Sequence, residues 1–168
     1  KPAVSQAWTL YPYESPLKEA IKLFKYRGKI SLADSLATLM ITALGPLPVV
    51  DVIVPVPLHS TRLREREYNQ SLLLAHRMST YLKIPLNYTV LRRIRETPPQ
   101  TSLTKHERLK NLRRSFVVKT PQSLKGKSIL LVDDVYTTGT TVNECAKVLD
   151  KAGAENVYVV TLARMIHG

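Results

Sequence analysis

The sequence predicts an α/β domain with a parallel sheet of about five strands, helices on its faces and a basic flap at one side. Three observations carry this. Short apolar runs at 51–56, 88–91, 116–118, 129–132 and 157–162 alternate with segments of helical period. The run at 129–132 is apolar at every position, the pattern of a strand covered on both faces. A chain of 168 residues that is 44% hydrophobic can bury one core unaided.

The elements follow in order. Residues 1–14 carry Pro2, Pro12 and aromatics without a clean period and are expected to form an extended arm. Ser15-Pro16 opens a helix, with Ser15 as N-cap and Pro in the first turn; Leu17, Ile21 and Phe24 line its buried face and Gly28 ends it. Ser31 and Asp34 form a capping box ahead of Leu32, Leu36, Leu39, Met40 and Ala43, and Gly45-Pro46 stops that helix. After the strand DVIVPV, residues 69–82 place Leu72, Leu73, Ala75, His76 and Tyr81 on one helical face. Thr104 and Glu107 cap a short basic helix carrying Leu109 and Leu112. Thr141 and Glu144 cap a last helix that Gly153 closes. Residues 1–50, an arm and two helices, are expected to pack on a domain at 51–168, the whole forming one unit.

Composition bounds the function. The single cysteine, Cys145, excludes an intramolecular disulfide, no Cys/His set has zinc spacing, and the balance fits a cytoplasmic protein. No apolar run reaches the ~20 residues a membrane span needs. The chain opens Lys1-Pro2 without an apolar leader, so no signal peptide is expected, and the missing Met points to a start further upstream. The net charge of +12 calls for a polyanionic partner, a phosphorylated small molecule or nucleic acid. Residues 92–119 hold nine Lys and Arg against Glu96 and Glu107, a net of +7; Lys22, Lys25, Arg27 and Lys29 make a second cluster. Either cluster can also be read as a solvated face.

The most specific stretch is ILLVDDVYTTGTT at 129–141. A buried strand ends in Asp133 and Asp134, and Thr137, Thr138, Gly139, Thr140 and Thr141 run straight into a helix. Such a loop can turn backbone N–H groups and hydroxyls onto one phosphate, with the helix dipole favouring the anion. Two carboxylates beside a phosphate cradle need hydroxyls or a cation to face, and a sugar phosphate satisfies both halves. A G-x-G-x-x-G fingerprint is absent, and Gly126-Lys127-Ser128 precedes a strand and has Pro at 121, so it is no P-loop. Cys145 sits on an apolar helix face as core, which argues against a complete glutamine-dependent amidotransferase.

ILLVDDVYTTGTT resembles the phosphoribosyl pyrophosphate (PRPP) motif of the type I phosphoribosyltransferases, with Tyr136 where a small aliphatic residue is commoner. With LFKYRGK at 23–29, VPVPLHSTRLREREYNQ at 54–70 and RRIRETPPQTSLTKHERLKNLRRSF at 92–116, the chain is similar over nearly its whole length to the ComF family of competence proteins and their GntX-like relatives. The resemblance implies a Rossmann-like sheet with a flexible lid or hood, here at about 92–119. It implies PRPP with Mg²⁺ as ligand, and transfer of the phosphoribosyl group with release of pyrophosphate. Asp133 and Asp134 would hold the ribose hydroxyls, touching the metal only indirectly, and 137–141 the 5′-phosphate. The loop carrying Leu58 and His59 would receive pyrophosphate, with Arg62 or Arg66 and the lid cations Arg92 and Arg108. His59 can equally be a loop histidine, Arg62, Arg64 and Arg66 surface ion pairs with Glu65 and Glu67, and Asn69 and Gln70 helix caps. Gln100 and Asn111 also match the pattern. Relatives often carry a Cys-rich zinc module upstream. The second expectation is a non-catalytic adaptor for DNA uptake that contacts single-stranded DNA and other competence proteins, although Phe116 and Tyr88 are the only aromatics near the basic segment that could stack on bases.

Overall fold

A computed structural model of the chain describes residues 1–96 and 104–166, the Arg108 side chain excepted. Gln100 and the Arg108 side chain therefore lie outside the described residues. The elements run β1 (Gln6–Pro12), α1 (Leu17–Tyr26), α2 (Leu32–Leu44), β2 (Val52–Pro55), α3 (Ser60–Arg66), α4 (Gln70–Leu82), β3 (Leu91–Arg93), α5 (Lys105–Leu112), β4 (Phe116–Val118), β5 (Ser128–Tyr136), α6 (Thr140–Lys151) and β6 (Asn156–Arg164).

The main sheet is parallel, in the order β1-β6-β5-β2. Among the described residues it has four strands. The expected arm is the edge strand β1, running beside β6 from Gln6 opposite Tyr158 to Pro12 opposite Arg164. Its Pro12 stands at the strand's end, where a missing N–H is tolerated. Trp8 packs against Tyr158 with ring centroids 5.9 Å apart. The runs near 88–91 and 116–118 leave the sheet: β3 and β4 pair antiparallel, Leu91 opposite Val118 and Arg93 opposite Phe116. That ribbon brings the two ends of the basic segment together. Arg93 stacks over the Phe116 ring at 5.5 Å.

Side chains alternate across a strand, so β5 feeds two cores. Ile129 and Leu131 face α6, packing with Val142, Cys145, Ala146 and Leu149. Leu130 and Val132 face the other helices, among Ile21, Phe24, Met40, Leu74 and Met78 from α1, α2 and α4. All of these are almost wholly buried, and each large aliphatic contributes about 1.5–3 kcal/mol. Beyond these positions Asp134 meets Lys25 of α1, while Asp133 meets Ser71 of α4.

Helix starts match the expectations unevenly. Neither Ser15 nor Ser31 caps: α1 follows Pro16 and α2 follows Ser31, both without a side-chain cap. The Thr104 box forms completely, the Glu107 N–H donating to Thr104 Oγ1 at 3.2 Å and the Thr104 N–H to Glu107 Oε2 at 2.7 Å. Thr104→Ala should cost about 1 kcal/mol, measured as a shift of the urea midpoint at unchanged slope.

Candidate active site

The acid pair lies inside β5, with Asp134 two residues before the strand ends at Tyr136 and Asp133 opposite Thr161 of β6. Asp133 Oδ1 accepts from Ser71 Oγ and from the Asp134 N–H, both at 2.9 Å. Asp134 Oδ1 accepts from the Val135 N–H at 2.7 Å. Both carboxylates are buried, 9% and 3% exposed. Burial, reinforced by the neighbouring Asp134, pushes Asp133 up to about 7.

On the α1 side, Lys25 Nζ stands 3.1 Å from Asp134 Oδ2, with side chains 18% and 5% exposed. Asp134 Oδ2 is fully buried and has no hydrogen-bond partner of good geometry, so the ammonium is its sole compensation. Burial works against charge on Lys25; Asp134 and then Asp133 outweigh it and hold the ammonium above its ordinary range. Sequence reasoning counted Lys25 only within a cluster and a motif. The usable signal was its spacing, one turn after Ile21 and next to Phe24, on the buried edge of α1. Ser71, in the first turn of α4 and 1% exposed, was missed as well.

Beyond Tyr136 the chain turns through Thr137 and Thr138, both exposed, to Gly139 at φ +81. Gly139 is the N-cap of α6 and offers no side-chain acceptor, unlike His59, Asn69 and Thr104 at the starts of α3, α4 and α5. The helix begins at Thr140, one residue before the expected box, and Thr141 with Glu144 does not cap it. Glu144 instead pairs with Lys147 at 2.7 Å. Thr138 Oγ1 and Thr140 Oγ1 share a hydrogen bond of 2.8 Å across the turn. The Tyr136 ring lies against the Gly139 Cα and stacks with Arg164 at 5.9 Å.

The loop after β2 is fixed from both sides. His59 caps α3, its Nδ1 accepting from the Thr61 N–H at 3.3 Å. Asn69 caps α4 through the Ser71 and Leu72 N–H groups while its own amide donates to the Val56 carbonyl at 3.1 Å. The Arg/Glu alternation is a short helix. Among the described residues its arginines make no ion pair with Glu65 or Glu67, the three pairs present being Lys25–Asp134, Arg77–Asp34 and Lys147–Glu144. Arg66 donates to Gln70 Oε1 at 3.1 Å and lies over the Tyr26 ring at 5.1 Å. Arg62 and Arg66 share a 360 Å³ cavity with Lys25, Tyr26 and Gly28. Leu58 and exposed Arg92 line another of 570 Å³ with Tyr68, Leu72 and Tyr88.

Among the described residues no three His, Cys, Asp or Glu side chains gather to hold a metal. Asp134 already holds the Lys25 ammonium. Cys145 is fully buried, and burial raises its thiol well above the ordinary range, leaving it inert as a nucleophile. No described helix is long and apolar enough to cross a membrane.

A phosphoribosyl transferase domain model matches residues 69–168, which contain the acid pair, the loop and α6. The chain is 35% identical to "Competence protein F" of Haemophilus influenzae over 90% of its own length and 69% of that protein. It is 33% identical to "DNA utilization protein YhgH" of Escherichia coli K12 over 94% and 71%. Its fold is shared with the glutamine PRPP amidotransferase of B. subtilis (TM-score 0.54, 20% identity, 79% of this chain and 26% of that one) and with the adenine phosphoribosyltransferase of Thermoanaerobacter pseudethanolicus (0.51, 14%, 83% and 83%). The α/β fold and the 69–168 match make this chain a member of the phosphoribosyl transferase domain family. Its place there is with competence protein F and its relatives.

Proposed function

We infer that the protein binds PRPP and transfers its phosphoribosyl group with release of pyrophosphate, in the setting of DNA uptake or utilisation that the names of its relatives indicate. The observation that carries this reading is the buried acid pair one short turn away from a helix start that lacks a side-chain cap. In this reading Asp133 and Asp134 accept the ribose hydroxyls, and the α6 N–H groups with the Thr137, Thr138, Thr140 and Thr141 hydroxyls hold the 5′-phosphate. The loop at 56–59, Arg62 and Arg66 face the pyrophosphate, with Arg92 and Arg108 approaching from the basic segment. His59 contributes by fixing the start of α3, since its Nδ1 is already engaged. A nucleophile adds at C1 as the C1–O bond breaks, the bonding pair leaves with pyrophosphate, and the nucleophile's proton passes to solvent. The protein's part is to align the partners and stabilise the departing charge. Mg²⁺, when bound with the substrate, would neutralise the pyrophosphate's charge, with Asp133 and Asp134 in indirect contact only.

Isothermal titration of the wild type with PRPP and Mg²⁺ should give saturable, one-site heat. A flat titration would remove the reading.

A non-catalytic adaptor on single-stranded DNA is the second reading, favoured by the +12 charge. Phe116 is 3% exposed beneath Arg93 and offers no stacking face, whereas Tyr88 is 60% exposed. Affinity for an oligonucleotide should fall with salt, log K against log [salt] sloping by about 0.7 per phosphate neutralised. Absence of binding at low ionic strength would discard it.

A further inference from the structure

The acid pair carries its own cation, delivered from outside the matched domain. Lys25 belongs to α1, whereas the phosphoribosyl transferase match begins at residue 69. Its ammonium meets Asp134 Oδ2, the one buried side-chain oxygen among the described residues that lacks a hydrogen bond. Lys25 also lines the cavity that Arg62 and Arg66 enter, so it stands between the acids and the space where an anion would sit. Two adjacent buried carboxylates would repel a sugar phosphate unless a nearby cation offsets their charge. Here the offset is built into the chain.

We propose that Lys25 is the resident counter-cation of the ribose seat, so that the acids accept a pentose 5-phosphate without a divalent metal, and metal is needed only for the pyrophosphate. This rests on the function proposed above and specifies how the seat is charged. Lys25 is a positioning residue: it acts through Asp134.

The test compares the wild type, Lys25→Met and Lys25→Arg, with ribose 5-phosphate as probe, in EDTA and in Mg²⁺. The wild type should bind equally well in both, within about twofold. Lys25→Met should lose at least tenfold in EDTA and regain most of it in Mg²⁺, while Lys25→Arg stays near wild type in both. Rescue by metal is a readout that a merely structural role would not move. Wild-type binding that requires Mg²⁺, or none at all while PRPP with Mg²⁺ still binds, overturns the proposal and leaves the parent reading intact. So does a folded Lys25→Met that binds like wild type in EDTA. If Lys25→Met does not fold, the wild-type comparison in EDTA and Mg²⁺ decides alone. Failure of PRPP with Mg²⁺ to bind the wild type is the distinct result that removes the parent reading.

Discussion

Asp133→Asn and Asp134→Asn should each weaken PRPP binding by at least a hundredfold, yet shift stability in opposite directions. Burial and the adjacent Asp134 raise Asp133 to about 7, against about 3.9 in an unfolded chain. Between those values the folded state holds a proton that the unfolded state has released. Stability therefore falls as pH rises from about 4 to 7, and above 7 the penalty is complete. Asparagine removes that penalty, and its carbonyl can still accept from Ser71 and from the Asp134 N–H. The variant should match the wild type near pH 4 and exceed it in stability at pH 8. Asp134→Asn does the reverse, because it takes from Lys25, 18% exposed, its directly paired carboxylate and leaves only the more distant Asp133. A loss of about 2–4 kcal/mol at pH 8 is expected. Urea titrations at pH 5 and pH 8 measure both. Equal shifts for the two variants would mean that the carboxylates are not differently charged by their surroundings.

Gly139→Ala is the second large effect, for two separable reasons. The residue sits at φ +81, where any Cβ is strained by about 1–2 kcal/mol. That Cβ would also stand 2.6 Å from Tyr136 Cζ and closer still to the hydroxyl, so the ring must move. Displacing it also forfeits the Arg164 stack. Together these should cost about 3 kcal/mol and lower PRPP affinity at least tenfold. Tyr136→Ala in the same chain should recover the steric part and leave the backbone part, a coupling that a double-mutant cycle isolates. Additive effects would refute the contact. The pairing also explains how a tyrosine is accommodated where the motif commonly holds a small aliphatic residue: the glycine makes room for it.

What was legible in the sequence and what was not divides by range. The run at 129–132 reads as a doubly covered strand because every position is apolar, and Asp133, Asp134 and Gly139 follow in register; this is local information. The pattern at 88–91 and 116–118 is equally strand-like, but period and composition do not say which sheet a strand joins, and β3 and β4 pair with each other. The β1 strand was hidden because an edge strand needs only one well-covered face, and its partner is some 150 residues away. The Arg/Glu alternation at 62–67 resembled exposed ion pairing at two-residue spacing. On a helix those neighbours point apart, and Arg62 and Arg66 line a cavity, Arg66 also bonding Gln70 and lying over the Tyr26 ring. Lys25 shows the same limit for charge. A basic cluster at 22–29 looks uniform in composition, and only the helical phase separates the one lysine aimed inward from those in water.

The parallel ladder between β1 and β6 also governs how the molecule assembles. The Ser5 amide bonds to the Val157 carbonyl and the Tyr13 amide to the Arg164 carbonyl, so β1 is held at both ends by a strand some 150 residues further along the chain. At ribosomal speeds β1 waits many seconds with Trp8 and Leu10 uncovered before β6 emerges as its template. Pairing across this separation is a late, long-range event, and removing β6 would leave β1 without a neighbouring strand.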